Sequence, residues 1–230
     1  MKKKRAGKYE IVGEETGDFE LEEETFLRIR ALRDIPKANV KAGDTGGLIE
    51  REENLSQSGD CWVSSDSVVY DNARVMGDAQ VKKHSRVYEN ALVNGKAEIS
   101  NSAKVAGFAK VTGKAKVKDG SVYGQAIVQD RAKILSGSKV FDESLVRDSA
   151  QIDSGAVIHG QAYICGNAQV SKGAEVGGAA HIGGNIKITG NIGIDDLMIL
   201  GQATVRPNPD MGIAEKDLDE LLYGSEPSID

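Results

Sequence analysis

An aliphatic residue recurs at every sixth position over residues 63–205, and this period constrains the fold more than any other feature of the 230-residue chain. Two steps are five residues long, from Tyr123 to Val128 and from Ile194 to Ile199. The recurring positions are Val63, Val69, Val75, Val81, Val87, Val93, Ile99, Val105, Val111, Val117, Tyr123, Val128, Ile134, Val140, Val146, Ile152, Ile158, Ile164, Val170, Val176, Ile182, Ile188, Ile194, Ile199 and Val205.

An Ala or Ser stands two residues before most of these positions, and a Gly or small polar residue often follows two residues after. Because side chains alternate along a strand, the aliphatic and the small residue point to the same side, which suits the narrow interior of a coil. Three such strands close one triangular turn. The repeat therefore predicts an all-β parallel solenoid of about eight coils, roughly 40 Å long. An all-β sandwich, with turns about 8–12 residues apart, would not hold one phase for so long.

The repeat resembles the hexapeptide-repeat, left-handed parallel β-helix family over residues 61–205. One departure is that Gly falls two residues after the aliphatic position more often than one after it. The left-handed sense is implied by this resemblance alone, because ordinary parallel crossovers are right-handed. Ile35-Pro36, Ala42-Gly43-Asp44 and Asn54-Leu55-Ser56 also resemble the segment ahead of such repeats in bacterial and phage-encoded proteins, some of them labelled transferases.

The two ends of the chain lack the regular period. Residues 1–60 are predicted to form a small β-rich cap, with one strand in the alternating stretch 26–32 and another at 48–50. Such a cap would cover the apolar end of the coil stack. Residues 206–230 are predicted to form an acidic tail with one short helix over 214–222, acting as a lid at the other end.

Composition excludes several classes of protein. No run of about 18 apolar residues is present, and the basic N-terminus is not followed by an apolar stretch, so we expect neither a membrane span nor a secretory signal. Cys61 and Cys165 lie far apart and match no zinc or disulfide-exchange spacing, which favours a reducing compartment. The resemblance to bacterial and phage-encoded proteins implies that this compartment is the cytoplasm of a bacterial host cell. The net charge of −6 gives no argument for nucleic acid or membrane as a partner.

Three histidines, His84, His159 and His181, are the candidates for catalysis. The resemblance implies acyltransferases that use a His near the coil surface and bind substrate between subunits, which makes His159 and His181 weak candidates for a catalytic base. No loop insertion interrupts the repeat, and the histidines are too far apart along the coil for a shared metal site. We therefore predict no metal, no cofactor and no assigned catalytic residue.

A basic region spans residues 82–118, with nine Lys or Arg residues against only Glu89 and Glu98. A cluster of this kind can bind nucleic acid. The basic side chains spread over all three faces, however, and this also fits protection of a β surface against edge-to-edge pairing. The basic residues are Lys82, Lys83, Arg86, Lys96, Lys104, Lys110, Lys114, Lys116 and Lys118.

One predicted face carries the outward aromatic residues. Its first outward column reads Tyr70, Tyr88, Ala106, Gly124, Phe141, His159 and Gly177, and its far column reads Arg74, Leu92, Lys110, Ile127, Leu145, Tyr163 and His181, with Phe108 between the columns. A contiguous aromatic and apolar strip on a rigid β surface is typical of an interface. The predicted interface residues are Tyr70, Tyr88, Leu92, Phe108, Phe141, Leu145, His159 and Tyr163.

These observations favour a non-catalytic interaction protein, a capped solenoid that binds a protein partner or a second copy of itself as a dimer or trimer. One specific hypothesis is a phage or prophage protein that binds and inhibits a host defence protein. The alternatives are an acyltransferase-like enzyme acting at a groove between subunits, and a nucleic-acid binder using the basic region.

Overall fold

A computed structural model describes residues 7–19 and 22–207. Over these residues the protein is an all-β parallel solenoid of about nine turns with almost no helix, which confirms the predicted fold class. Two 3-10 turns, Pro36–Ala38 and Glu52–Asn54, are the helical segments of this part of the chain. The helix predicted over 214–222 lies outside the described residues.

Three strands precede the regular coils: β1 (Tyr9–Phe19), β2 (Glu22–Ala31) and β3 (Thr45–Ile49). β1 and β2 form an antiparallel hairpin, and β3 pairs antiparallel with β2. On its other side β3 pairs in parallel with the first strand of one solenoid face. The two strands predicted near 26–32 and 48–50 are therefore present, and the cap shares a continuous sheet with the solenoid.

The solenoid strands, β4 to β28 in chain order, are only two or three residues long. They are β4 (Trp62–Val63), β5 (Val68–Val69), β6 (Arg74–Val75), β7 (Gln80–Val81), β8 (Arg86–Val87), β9 (Leu92–Val93), β10 (Glu98–Ser100), β11 (Lys104–Val105), β12 (Lys110–Val111), β13 (Lys116–Lys118), β14 (Ser121–Val122), β15 (Ile127–Val128), β16 (Lys133–Leu135), β17 (Lys139–Val140), β18 (Leu145–Val146), β19 (Gln151–Ile152), β20 (Val157–Ile158), β21 (Tyr163–Ile164), β22 (Gln169–Ser171), β23 (Glu175–Gly177), β24 (His181–Ile182), β25 (Lys187–Thr189), β26 (Gly193–Asp195), β27 (Met198–Ile199) and β28 (Thr204–Val205).

These strands stack into three sheets, one along each side of the coil. Sheet I has the order β1-β2-β3-β5-β8-β11-β14-β17-β20-β23-β26, sheet II runs from β6 to β27, and sheet III runs from β4 to β28. Neighbouring solenoid strands are parallel, and a backbone N–H donates to a carbonyl of the next coil, as from Ala106 to Val122 at 2.9 Å. This ladder fixes the register of every coil against its neighbours.

The interior is filled by buried Val and Ile, with Ala or Ser in the adjoining small position. Ile134, Ile152 and Ile164 have no exposed surface, and neither do Ala132 and Ala150 beside them. Burying an aliphatic side chain of this size contributes about 1.5–3 kcal/mol relative to exposing it. The stack of identical layers thus supplies a continuous core along the whole solenoid.

The first five-residue step lies one strand earlier than the sequence pattern predicted. β14 places Val122 in the core with no exposed surface, while Tyr123 lies outside and is half-buried. A Tyr ring is too large for the layer that Val fills, and Gly120 takes the small position two residues before Val122. The step therefore runs from Val117 to Val122, and the prediction that Tyr123 continues the inward series is wrong.

The solenoid also begins before residue 61. Ile49 pairs with Val69, and Leu55 forms a parallel bridge with Val75, so the end of the cap already follows the path of a coil. This adds a turn to the eight predicted from the repeat, giving about nine. The second five-residue step occurs where it was predicted, because Ile199 is buried in β27 at 3 % exposure.

Carboxylate side chains hold many corners of the coil. Asp142 and Asp148 adopt left-handed φ values of 56° and 58°. Each accepts a hydrogen bond of 3.0 Å from a backbone N–H in the next coil, donated by Gly160 and Gly166 respectively. Asp tolerates this conformation because its short polar side chain bonds nearby backbone groups. The corners are therefore linked by side chains as well as by the strand ladder.

Lys8 ties the start of the cap to the first coil. Its Nζ donates to Cys61 O at 2.7 Å and to Cys61 Sγ at 2.9 Å, and the residue is only 1 % exposed. Burial lowers the pKa of the Lys8 amine, because desolvation disfavours its charged form. Tyr9 follows with its hydroxyl donating to Leu55 O at 2.9 Å, so two successive side chains anchor the chain here.

The corrected step predicts opposite outcomes for two adjacent substitutions. Val122→Asp places an unpaired carboxylate in the core and should unfold the middle coils, lowering the thermal midpoint sharply. Tyr123→Asp changes an outward position and should keep a cooperative transition with a thermal midpoint only modestly below that of the wild type, because it removes the ring contact with Phe141 but leaves the core intact. Circular dichroism melts of the two variants check this, and the reverse order of stability would contradict the assigned register.

Three glycines of the cap provide a second matched set of variants. A Cβ on Gly47 would lie 2.4 Å from Ser64 O, and one on Gly46 would lie 2.4 Å from Trp62 Cζ2, whereas one on Gly13 would meet nothing within 4 Å. We expect Gly46→Ala and Gly47→Ala to loosen the cap and Gly13→Ala to be nearly neutral. Proteolysis rates and melts of the three variants test this, and equal behaviour would refute it.

Candidate interaction surface

Two outward columns flank the corner between sheets I and II. One column follows the buried aliphatic residue of each sheet I strand. The other precedes the buried residue of each sheet II strand, where register pairs Leu92 with Lys110, Ile127 with Leu145 and Leu145 with Tyr163. The sequence pattern assigned both columns to one face, which is wrong. Each strand begins one residue before its buried aliphatic residue, so the residues of the second column are the first residues of the sheet II strands. The predicted strip therefore wraps around a corner.

The column on sheet I, the aromatic column, carries the rings of Tyr88, Tyr123, Phe141 and His159. The last three form a continuous stack, and the coil of Ala106 separates Tyr88 from them. The rings of Tyr123 and Phe141 are parallel within 3° with centroids 4.9 Å apart. Phe141 and His159 continue the stack at 5.6 Å and 19°. Stacked rings of this spacing stabilise each other beyond the area they bury, by about 0.5–1.5 kcal/mol per pair. Tyr123 replaces Gly124 in the predicted column, which follows from the corrected step.

Tyr70 belongs to the cap rather than to the exposed part of this column. It is 6 % exposed, its ring meets the edge of Phe26 at 6.1 Å, and it stacks on Tyr88 at 5.1 Å and 4°. Phe26 is fully buried. The cap thus covers the first ring of the stack, which removes Tyr70 from the surface that the sequence predicted.

The column on sheet II, the aliphatic column, carries Leu92, Ile127, Leu145 and Tyr163, and the exposed Lys110 lies between Leu92 and Ile127. All four side chains are half-buried and face outward from their strands. Phe108 lies at the turn between the two columns and is 63 % exposed, the largest value among the large hydrophobic side chains that the structure describes. We call the two columns together with Phe108 the corner surface.

A shallow depression runs along the corner between the two columns. It has a volume of about 450 Å³. Its walls are turn residues of three successive coils, and the rings and aliphatic side chains border it on either side. The lining residues are Gly124, Gln125, Asp142, Glu143, Gly160 and Gln161. The small and polar turns leave the neighbouring columns projecting as two ridges.

The basic region does not form one patch. Lys82, Lys116 and Lys118 lie on sheet III, Arg86 and Lys104 on sheet I, and the others on sheet II or at corners, as the sequence predicted. On sheet III, Glu98 lies between two of them, 3.2 Å from Lys82 and 3.9 Å from Lys116. This carboxylate reduces the positive field around Lys82 and Lys116.

The three histidines occupy separate environments. The side chain of His84 is 76 % exposed and lies 3.8 Å from Asp66. His159 Nε2 lies 2.9 Å from Glu175 Oε1, an ion-pair distance without hydrogen-bond geometry. His181 lies on sheet II, where its ring is 4.6 Å from that of Tyr163. No pair of histidines is brought into a common cluster by the register of the described coils.

Cys165 is a potentially reactive neighbour of His181 that the sequence analysis did not identify. Its Sγ lies 3.6 Å from His181 Nε2, across one coil and one strand width. The two residues are 16 positions apart in the sequence. In a coil of about 18 residues, this spacing places them diagonally across two adjacent coils, so the spacing could have predicted the contact. Burial raises the pKa of the Cys165 thiol, so the thiolate is disfavoured rather than prepared for attack.

Among residues 7–19 and 22–207, no three His, Cys, Asp or Glu side chains are placed to hold a metal ion. The same residues contain no helix that is long and apolar enough to cross a membrane. No protein-family model and no curated protein matches this sequence.

The environment of Cys165 predicts slow thiol chemistry. Iodoacetamide should label Cys165 at pH 7.5 more slowly than a free cysteine, and the rate should continue to rise to a higher pH than for the free cysteine, because the raised pKa keeps the thiol protonated. Cys61 should stay unlabelled in the folded protein, since it has no exposed surface. Mass spectrometry at timed intervals measures both. Labelling faster than a free cysteine that is slowed by His181→Ala would instead reveal a Cys–His nucleophile.

Proposed function

We propose that this chain is a non-catalytic member of the hexapeptide-repeat class whose corner surface binds another protein. The observation that carries the proposal is the stack of Tyr123, Phe141 and His159 on sheet I, set beside the aliphatic column of sheet II. Aromatic residues are enriched in protein interfaces, and they act as anchors when they are held rigidly. A solenoid holds them in this way because each ring is fixed to a hydrogen-bonded strand.

A rival explanation is that rings simply favour cross-strand pairs along a β stack. That explanation predicts rings on all three sheets. The outward columns of sheet III instead carry mainly Gln, Lys, Ser and Thr together with Glu98 and Asp153, with Leu135 as an isolated apolar residue and Trp62 buried at the cap. The concentration of rings at one corner therefore supports a recognition role.

The partner is a second copy of the chain or a different protein. The narrower proposal, a phage or prophage protein that inhibits a host defence protein, rests on the sequence resemblance alone. An acyltransferase acting at a subunit groove would need an activated base. The 2.9 Å approach of Glu175 Oε1 to His159 Nε2 is the feature that favours this alternative, because a carboxylate beside an imidazole can orient it as a base. The feature against it is that this contact lacks hydrogen-bond geometry.

Two matched variants test the proposal. Phe141→Asp on sheet I and Leu135→Asp on sheet III each place a carboxylate at a half-buried outward position a few residues apart. We expect Phe141→Asp to weaken association by about 2 kcal/mol or more, as for an interface anchor, and Leu135→Asp to have no effect.

The measurement is the size of the full chain by gel filtration, in extract of the cells that encode it and after purification with light scattering. Wild type and Leu135→Asp should run above the 24.5 kDa monomer, while Phe141→Asp should run as the monomer. Wild type running as a monomer under both conditions would contradict the proposal. An acyltransferase should also bind an acyl-thioester cofactor, and calorimetry with coenzyme A thioesters tests that separately.

A further inference from the structure

A row of turn residues follows the corner between sheets I and II, and one of its members differs in kind. In each coil the backbone N–H of this residue donates to a carbonyl of the next coil, at 2.7 Å from Phe108 to Gly124 and at 2.9 Å from Glu143 to Gly160. The turn row in five successive coils is Asn90, Phe108, Gln125, Glu143 and Gln161. Four of these residues are polar or charged, and Phe108 is 63 % exposed.

The residue that interrupts the aliphatic column lies in the same coil as Phe108. Lys110 stands two residues further on and pairs in register with Leu92 on one side and Ile127 on the other. It is exposed and has no ion-pair partner in the part of the chain that the structure describes. One coil therefore presents a ring in a polar row and an ammonium group in an apolar column. An isolated exposed ring is common on protein surfaces, so a matching surface is also required.

The depression at the corner is such a matching surface. Gly124 and Gly160 belong to its lining and leave open space, because they carry no side chain. Asp142 and Glu143 are exposed in the same lining, which includes no basic residue of the described chain. Its volume of about 450 Å³ leaves room for a phenyl ring. A ring would meet the glycines there, and an ammonium group beside that ring would meet the carboxylates.

The spacing of these two features along the corner makes the surface complementary to itself. Phe108 lies one coil before Gln125, and Glu143 lies one coil after it, so the two are roughly 9.5 Å apart. A twofold axis that crosses the solenoid at the coil of Gln125 exchanges these two coils between antiparallel copies. The Phe108 ring of each copy then faces the depression of the other. An interface between identical copies requires a patch that fits itself in this way.

From this geometry we infer that two copies of the chain pair antiparallel at the corner surface, with Phe108 of each in the depression of the other and Lys110 beside Glu143. The inference rests on the proposed function and selects a second copy as the partner. It accounts for the ring in the polar row, the ammonium group in the apolar column and the carboxylates of the depression by one contact. Twofold symmetry forms that contact twice, so each substitution acts twice in the dimer.

A charge exchange between two variants tests the pairing. Lys110→Glu and Glu143→Lys each place like charges at both contacts, and each alone should raise the dissociation constant of the purified dimer about tenfold or more. An equimolar mixture of the two variants restores opposite charges at both contacts and should associate within a few-fold of wild type. Lys133→Glu, on sheet III, makes the same charge change away from the corner and should have no effect. Analytical ultracentrifugation of the full chain measures all four.

The ring and the axis are tested separately. Phe108→Ala should raise the dissociation constant about tenfold or more, as for an interface anchor. Leu200→Ala, which truncates a side chain of 54 % exposure near the end of sheet II, should not. In a Cys165→Ser chain, Gln125→Cys lies at the axis and should give a covalent dimer with a short bismaleimide. Lys133→Cys in the same chain should remain monomeric.

The inference is overturned if purified wild type stays monomeric, or if the equimolar mixture stays monomeric while circular dichroism shows both variants folded. It is also overturned if Phe108→Ala dimerises like wild type. If wild type is monomeric after purification but runs in a larger complex in cell extract that Phe141→Asp abolishes, the proposed function stands and only self-pairing is refuted. If wild type is monomeric under both conditions, the proposed function fails as well.

Discussion

The whole structure depends on one constraint, that each two- or three-residue strand must bury one branched aliphatic side chain while pairing with the coils on either side. Parallel pairing fixes the height of every coil, and the buried Val or Ile fixes its phase. A one-residue slip would turn that side chain to the surface and bring an outward residue into the core. The regularity of the surface follows from this constraint, because outward residues inherit the register of the strands.

Surface columns are therefore the functional unit of this molecule. A side chain placed after the buried residue in several coils becomes a row with a spacing of about 4.8 Å, which is also a spacing at which rings stack. The aromatic column exploits that match. A substitution at one position changes one member of the row and leaves the strand register of the others in place.

The sequence was sufficient to predict the solenoid, the short strands, two of the three cap strands and the second five-residue step, but it did not predict β1 (Tyr9–Phe19). It did not place the first step, because Val122 and Tyr123 both continue an apolar pattern and the count of six favoured the wrong one. Gly120 was the deciding signal, since it fills the small position before Val122. Side-chain volume decides that Val122 rather than Tyr123 enters the core, and a periodic pattern carries no information about volume.

The surface was predicted less completely, for a related reason. The period gives the faces of a coil but not the position of each turn, so the aliphatic column was assigned to the same face as the rings. Tyr70 was placed at the surface because the packing of Phe26 depends on contacts between residues far apart in the chain. The approach of Cys165 to His181 is diagonal between coils and follows only once the register is known.

The measurement that tests the account most directly is photo-crosslinking from the corner surface in living cells of the natural source. A benzophenone amino acid at position 141 probes the aromatic column, and the same group at position 135 probes sheet III of the same region. The account predicts a discrete crosslinked product from position 141, either with a second copy or with one other protein, and none from position 135. No product from position 141, or equal products from both positions, would contradict a partner at this corner.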